Sequence, residues 1–131
     1  LLLPIVSSLV ASLPRSHYAS SSDLSYNRFQ ARADPLQPRR LPLAWVHAMA
    51  SWFEGFENGP KQGLSPLIIQ GDCDAVVDWR GNLRRIAARF TAPELVLLEG
   101  ARHNLPNEAP AYRSQIEAAL DARLWRLLGR V

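Results

Sequence analysis

The second half of this 131-residue sequence predicts an α/β fold with two parallel strands. Two short apolar runs, 67–69 and 95–98, are each closed within two residues by a glycine, which is typical of strands buried on both faces. A segment with apolar residues at helical spacing follows each run. This alternation is a βαβ unit, and its right-handed crossover makes the two strands parallel.

Residues typical of helix ends support this unit. Asp78 is a suitable N-cap for a helix over 79–90, which Pro93 would end. Asn107 is the expected cap of the last helix, with Pro110 in the first turn, where its missing N–H costs little. Because two parallel strands leave faces and edges uncovered, we expect further strands to precede this sequence in a longer protein.

The first sixty residues predict a helical region of a different kind. We divide the sequence into a helical cap, residues 1–60, and the C-terminal βαβα core, residues 61–131. A short helix is predicted over 23–33, with its cap at Ser22 or Asp23.

A second cap helix is predicted over 42–56, with Pro42 in its first turn. Two apolar stripes cover most of its circumference. Such a helix is either buried in a core or forms the roof of an apolar substrate cleft, and its periodicity fits both. In the second case, the side chains expected to bind an acyl chain are Trp45, Met49, Trp52 and Phe56.

Composition and charge exclude several classes of protein. The 15 lysines and arginines against 12 acidic residues give a net charge of +3, but the basic residues are scattered, which argues against a nucleic-acid partner. The apolar stretch 1–13 is too short to span a bilayer and lacks the basic region of a signal peptide. We expect a cytoplasmic or peripherally membrane-associated protein. The last helix carries four arginines that by default form a solvated face, and a few of them could meet anionic lipid headgroups: Arg113, Arg123, Arg126 and Arg130.

Neither a metal site nor a cofactor is expected. His17, His47 and His103 match no zinc-binding pattern, and no cluster of cysteines or carboxylates completes one. Cys73 is the single cysteine, so it forms no internal disulfide, and we interpret it as a small buried filler.

The candidate chemistry lies at the carboxyl ends of the two strands, where such sheets collect their functional groups. Three residues after its closing glycine, each strand delivers a titratable side chain, Asp74 or His103. An aspartate that accepts a hydrogen bond from one imidazole nitrogen orients the ring and leaves the other nitrogen to act as a general base. The rivals of Asp74 are Asp72, which we interpret as a turn former, and Asp78, the helix cap.

The sequence around these residues resembles a known fold family. Residues 66–78 resemble the strand and acid turn of the α/β-hydrolases, in particular the lysophospholipase and monoacylglycerol-lipase group, the serine aminopeptidase-like hydrolases. Residues 95–108 resemble that group's histidine loop and last helix, and 1–15 and 23–56 resemble its helical cap more loosely. The resemblance implies that Asp74 and His103 are the second and third members of a Ser-Asp-His triad. It alone suggests that Glu108 helps to hold the histidine loop; otherwise Glu108 favours the positive end of the last helix.

The sequence departs from the family at the nucleophile. The motif Gly-x-Ser-x-Gly is absent, and its nearest approach, Ser65, lacks the second glycine and precedes a strand. The segment that would form the oxyanion hole is missing too. We therefore expect the C-terminal part of a serine carboxylic-ester hydrolase for lysophospholipids or monoacylglycerols, inactive as this chain alone. No cofactor is implied.

Two alternatives remain open at this point. Other α/β-hydrolases, such as thioesterases, epoxide hydrolases and haloalkane dehalogenases, share this C-terminal half, and the nucleophile distinguishes them. A degenerate relative could instead bind a partner through the uncovered sheet edge, because fold alone does not establish activity.

Overall fold

The structure is a computed structural model that describes residues 11–15 and 18–129. His17, Arg130 and most of the apolar stretch 1–13 therefore lie outside the described residues. In chain order the elements are β1 (Ser12–Pro14), α1 (Leu24–Arg32), β2 (Arg40–Pro42), α2 (Leu43–Asn58), β3 (Leu67–Gly71), α3 (Trp79–Arg89), β4 (Glu94–Leu98), a 3₁₀ turn (Leu105–Asn107) and α4 (Pro110–Leu127).

The two long strands pair as the sequence predicts. β3 and β4 are parallel, in a register that runs from Leu67 opposite Glu94 to Gly71 opposite Leu98. The α3 crossover between them completes the βαβ unit. β1 and β2 form a separate antiparallel pair, with Ser12 opposite Pro42, which the sequence analysis did not predict.

The expectation that both strands are buried on both faces is wrong for the described residues. Exposure alternates along β4, and Leu95 and Leu97 are each 47% exposed. The other face begins with Glu94, whose carboxylate binds Arg123 and Arg126 of α4. One layer of helix therefore covers one face of β4, and among the described residues none covers the second, apolar face.

Most predicted helix ends are confirmed. Asp23 caps α1, accepting from the Ser25 and Tyr26 N–H groups at 2.8 and 3.2 Å. Asp78 caps α3, accepting from the Gly81 N–H at 2.9 Å. Pro42 is the N-cap of α2 and not a residue of its first turn.

The predicted cap of the last helix is wrong. Asn107 lies in the 3₁₀ turn and donates its side-chain amide to Asn104. Ala109 is the N-cap residue of α4, and Pro110 begins the helix, in the first turn as expected. The reason is the 3₁₀ turn itself, which places Asn107 three residues before the first helical residue.

Helix α2 is not a buried core helix within the described chain. Leu43 is its only buried residue, whereas Trp45, Met49 and Trp52 are exposed. Phe56 is half-buried and lies against Phe90 and the Arg89 guanidinium.

Candidate active site

The turn after β3 places the Asp74 carboxylate against the His103 ring. Asp74 Oδ2 lies 2.9 Å from His103 Nδ1, while Asp74 Oδ1 accepts from the Val76 and Val77 N–H groups at 2.8 and 3.3 Å. Asp74 is 9% exposed, and the His103 side chain is 41% exposed. One ring nitrogen therefore faces a buried acid, and Nε2 is the nitrogen left for a reacting group.

The environment of Asp74 favours its charged form. Burial on its own raises the pKa of this carboxyl, but hydrogen bonds from His103, the Val76 N–H and Gln70 outweigh it and hold the pKa below its ordinary value. An ionised Asp74 is an acceptor only, so His103 Nδ1 is the donor of the shared hydrogen bond.

Two glycines allow the acid turn and the histidine loop to approach each other. A Cβ on Gly71 would lie 2.6 Å from the Arg102 carbonyl oxygen and would also overlap the Ala101 backbone. Gly100 has a positive φ of 82°, and a Cβ there would lie 2.5 Å from the Tyr112 hydroxyl. Gly71 is needed because the backbones are in close contact there. Gly100 is needed both for its positive φ and for the lack of space beside the Tyr112 hydroxyl.

Asp72 joins the two loops but is not the partner of His103. Its Oδ1 accepts from the Gly100 N–H at 2.7 Å, and its own N–H donates to the Leu98 carbonyl at 3.1 Å. The expectation of a turn former that bonds its own backbone is corrected, because the side chain reaches across to the neighbouring strand end. The adjacent Cys73 N–H donates to the Ala101 carbonyl at 3.0 Å.

Comparison with known proteins finds likeness in structure and none in sequence. No protein-family model matches the sequence, and no curated protein matches it. The monoacylglycerol lipase of Paleococcus ferrophilus matches with a TM-score of 0.68 and 14% identity, over 92% of this chain and 50% of the lipase. A soluble variant of the Saccharomyces cerevisiae monoglyceride lipase, in complex with a substrate analog, matches with a TM-score of 0.72 and 18% identity, over 95% of this chain and 46% of the lipase.

The chain has the α/β-hydrolase fold. It spans about half the length of the solved structures that it matches, as expected for the C-terminal portion of that fold.

A cleft of about 400 Å³ lies beside His103. Its wall combines apolar and polar residues, namely Pro14, Arg15, Tyr18, Ser20, Gln30, Gln37, Leu41, Val76 and Asn104. None of the four residues expected to bind an acyl chain belongs to this wall. The sequence analysis missed the contribution of β1, β2 and α1, because no local pattern shows which distant segment faces a given loop.

The four aromatic and methionine residues of α2 separate into two groups. Trp52 and Phe56 line a second, apolar cavity of about 400 Å³ between α2, β3 and α3. Trp45 and Met49 line neither cavity. Their role in substrate binding stays a prediction.

Glu108 is a buried carboxylate next to the histidine loop. It is 1% exposed, and its oxygens accept from the Arg102 and Ser22 N–H groups, both at 2.7 Å. Burial raises the pKa of Glu108, but the hydrogen bonds from Ser22, Arg102 and Ala109 outweigh it and hold the pKa below its ordinary value.

Two other reactive side chains lie apart from this chemistry. Cys73 lies in the turn after β3 rather than in a strand and is exposed, which corrects the buried-filler interpretation. A hydrogen bond with Asp72, partial burial and the Asp72 charge raise the pKa of its thiol, so it is not an activated nucleophile. Ser65 donates its hydroxyl to the Ala92 carbonyl.

Within residues 11–15 and 18–129, no cluster of three or more His, Cys, Asp or Glu side chains is arranged to hold a metal ion. The same residues include no helix that is long and apolar enough to cross a membrane.

Replacing Gly71 by Ala should separate the acid turn from the histidine loop. The new Cβ overlaps backbone atoms, so the loop must move, and overpacking of this kind costs about 1–3 kcal/mol of the free energy of unfolding. NMR should show loss of the hydrogen-bonded His103 Nδ1 proton. The matched control is Gly63→Ala, whose Cβ would meet nothing within 4 Å and should leave both properties unchanged. Equal behaviour of the two variants would contradict the close-approach argument.

Asp74 should contribute to stability at neutral pH and lose that contribution in acid. Because its folded pKa lies below the unfolded value, the stabilisation is present above that unfolded value and disappears as the pH falls through the folded pKa. The difference between the unfolding free energies of the wild type and Asp74→Asn should therefore be constant above the unfolded pKa of about 4, decrease as the pH falls below it, and level off below the folded pKa. Denaturant unfolding at a series of pH values measures this; a difference that stays constant in acid as well would refute it.

Proposed function

We propose that this chain supplies the acid and the base of a serine carboxylic-ester hydrolase that acts on monoacylglycerols or lysophospholipids. The observation that carries the proposal is the 2.9 Å contact between Asp74 and His103 at the carboxyl ends of two parallel strands. In the α/β-hydrolase fold this edge of the sheet is where a histidine and its acid act on a serine nucleophile.

In the proposed reaction, a serine hydroxyl attacks the ester carbonyl while His103 Nε2 accepts its proton. Asp74 stabilises the imidazolium through Nδ1. Collapse of the tetrahedral intermediate breaks the ester bond, and the departing alcohol takes the proton from Nε2. Water then attacks the acyl-enzyme with His103 as base, which releases the fatty acid and restores the serine.

The serine of this proposal belongs to a part of the protein outside this chain. Ser65 is unsuitable, because it precedes β3 whereas Asp74 follows it, and a five-residue strand spans about 16 Å. Its hydroxyl is also engaged by the Ala92 carbonyl. The matched lipases are about twice as long as this chain, which leaves room for a serine-bearing segment.

The proposed substrate class rests on the structural neighbours and on the cavities. Both neighbours are monoacylglycerol lipases, and one of them holds a substrate analog. Residues 1–60 act as the helical cap in this proposal, and the side chains of α2 that contact the acyl chain are Trp45, Met49, Trp52 and Phe56. A lipid substrate also fits a cytoplasmic enzyme that contacts membranes peripherally.

Covalent labelling with a fluorophosphonate probe tests the proposal, because the probe reacts with activated serines. This chain should not label, whereas the complete protein, meaning this chain joined to its serine-bearing segment, should label. His103→Ala should abolish labelling. His47→Ala is the matched control, since His47 is an exposed histidine on α2 that lines neither cavity, and should label normally.

Labelling of this chain alone would show that one of its own serines is activated, against the proposal. No labelling of a folded complete protein would favour the non-catalytic relative that binds a partner through a sheet edge.

A further inference from the structure

His103 is held through its backbone on both sides. The preceding residue, Arg102, donates its N–H to Glu108 Oε1 at 2.7 Å. The following residue, Asn104, donates its N–H to the Ser20 carbonyl at 2.7 Å. The Arg102 guanidinium adds a contact to the Ala19 carbonyl at 3.1 Å. One anchor of the loop, the Ser20 carbonyl, lies in the segment 19–22, and the other, Glu108, is hydrogen-bonded to this segment at Ser22.

The same glutamate also holds that distant segment. Glu108 Oε2 accepts from the Ser22 N–H at 2.7 Å and from the Ser22 hydroxyl. Ser21 donates its hydroxyl to the Asn107 carbonyl at 2.6 Å. Ser20, which precedes Ser21, lines the cleft beside His103. One buried side chain thus bonds to the histidine loop with one oxygen and, with the other, to Ser22 in the segment that carries Ser20.

We propose that Glu108 is a positioning residue that fixes His103 relative to the segment 20–22, whose Ser20 lines the cleft beside His103. This deepens the proposed function and rests on it for the role of His103. Glu108 touches no reacting atom; it acts through the Arg102 and Ser22 backbones.

The carboxylate suits this position because every group around it is a donor. The Arg102, Ser22 and Ala109 N–H groups and the Ser22 hydroxyl share its two oxygens. A glutamine keeps one acceptor oxygen, but its NH₂ group would face donors on the other side. Glu108→Gln should therefore lose either the bond to Arg102 or the bonds to Ser22, and Glu108→Ala should lose both.

The test compares Glu108→Ala, Glu108→Gln and Glu94→Gln in the complete protein. In Glu108→Ala, the rate of fluorophosphonate labelling should fall by up to about 100-fold, the scale expected when a catalytic group is misplaced by about 1 Å. Glu108→Gln should lie between this variant and the wild type. The His103 Nδ1 proton should exchange faster in both. Glu94→Gln makes the same chemical change at the opposite end of β4 and should label at the wild-type rate.

The proposal would be overturned if Glu108→Ala lowered the melting temperature but left both the labelling rate and the exchange rate of the His103 Nδ1 proton unchanged. Glu108 would then only stabilise the fold. If Glu108→Ala does not fold, Ser22→Ala decides the question, because it removes one donor and keeps the glutamate. It should slow labelling less than Glu108→Gln but measurably, and wild-type behaviour would again overturn the proposal. If the wild type does not label, the proposed function fails, while the Nδ1 proton still reports whether Glu108 positions His103.

Discussion

The parallel pairing of β3 with β4 ends both strands at the same edge, and this backbone constraint produces the candidate site. Gly71 has no side chain, so the turn after β3 lies directly against the Ala101 and Arg102 backbone. A larger residue would hold the turns apart, and Asp74 would no longer reach His103. The acid and the histidine are separated by 28 intervening residues, and the sheet register together with the close approach at Gly71 brings them within one hydrogen bond.

A second set of bonds fixes the histidine loop from the other side. Glu108 and the serine segment 20–22 are 86 residues apart for their closest pair, yet the buried carboxylate bonds to both this segment and the residue before His103. Burying an anion is unfavourable unless donors surround it, and here four do. The segment 20–22 and the histidine loop therefore meet at the same place as the proposed chemistry.

The sequence predicted those features that depend on local chemistry. The spacing from each closing glycine indicated Asp74 and His103, and the caps Asp23 and Asp78 followed from their side chains. The hydrogen bonds of Glu108 were not predictable from residues alone, because Ser22, one of its partners, is 86 residues away in the sequence. The local pattern indicated only a helix start, with Asn107 as the cap and Glu108 beside it. The antiparallel pair of β1 and β2 was missed because each strand has three residues, too few for a period-two pattern.

The pairing of Asp74 rather than Asp72 with His103 is the central claim, and the turnover of the complete protein on a monoacylglycerol tests it most directly. Asp74→Asn should lower kcat by about 10⁴-fold, as expected when the histidine is held in the wrong tautomer. Asp72→Asn keeps an oxygen that accepts from the Gly100 N–H, so its kcat should stay within several-fold of the wild type. Comparable losses in both variants, or a larger loss in Asp72→Asn, would contradict the account.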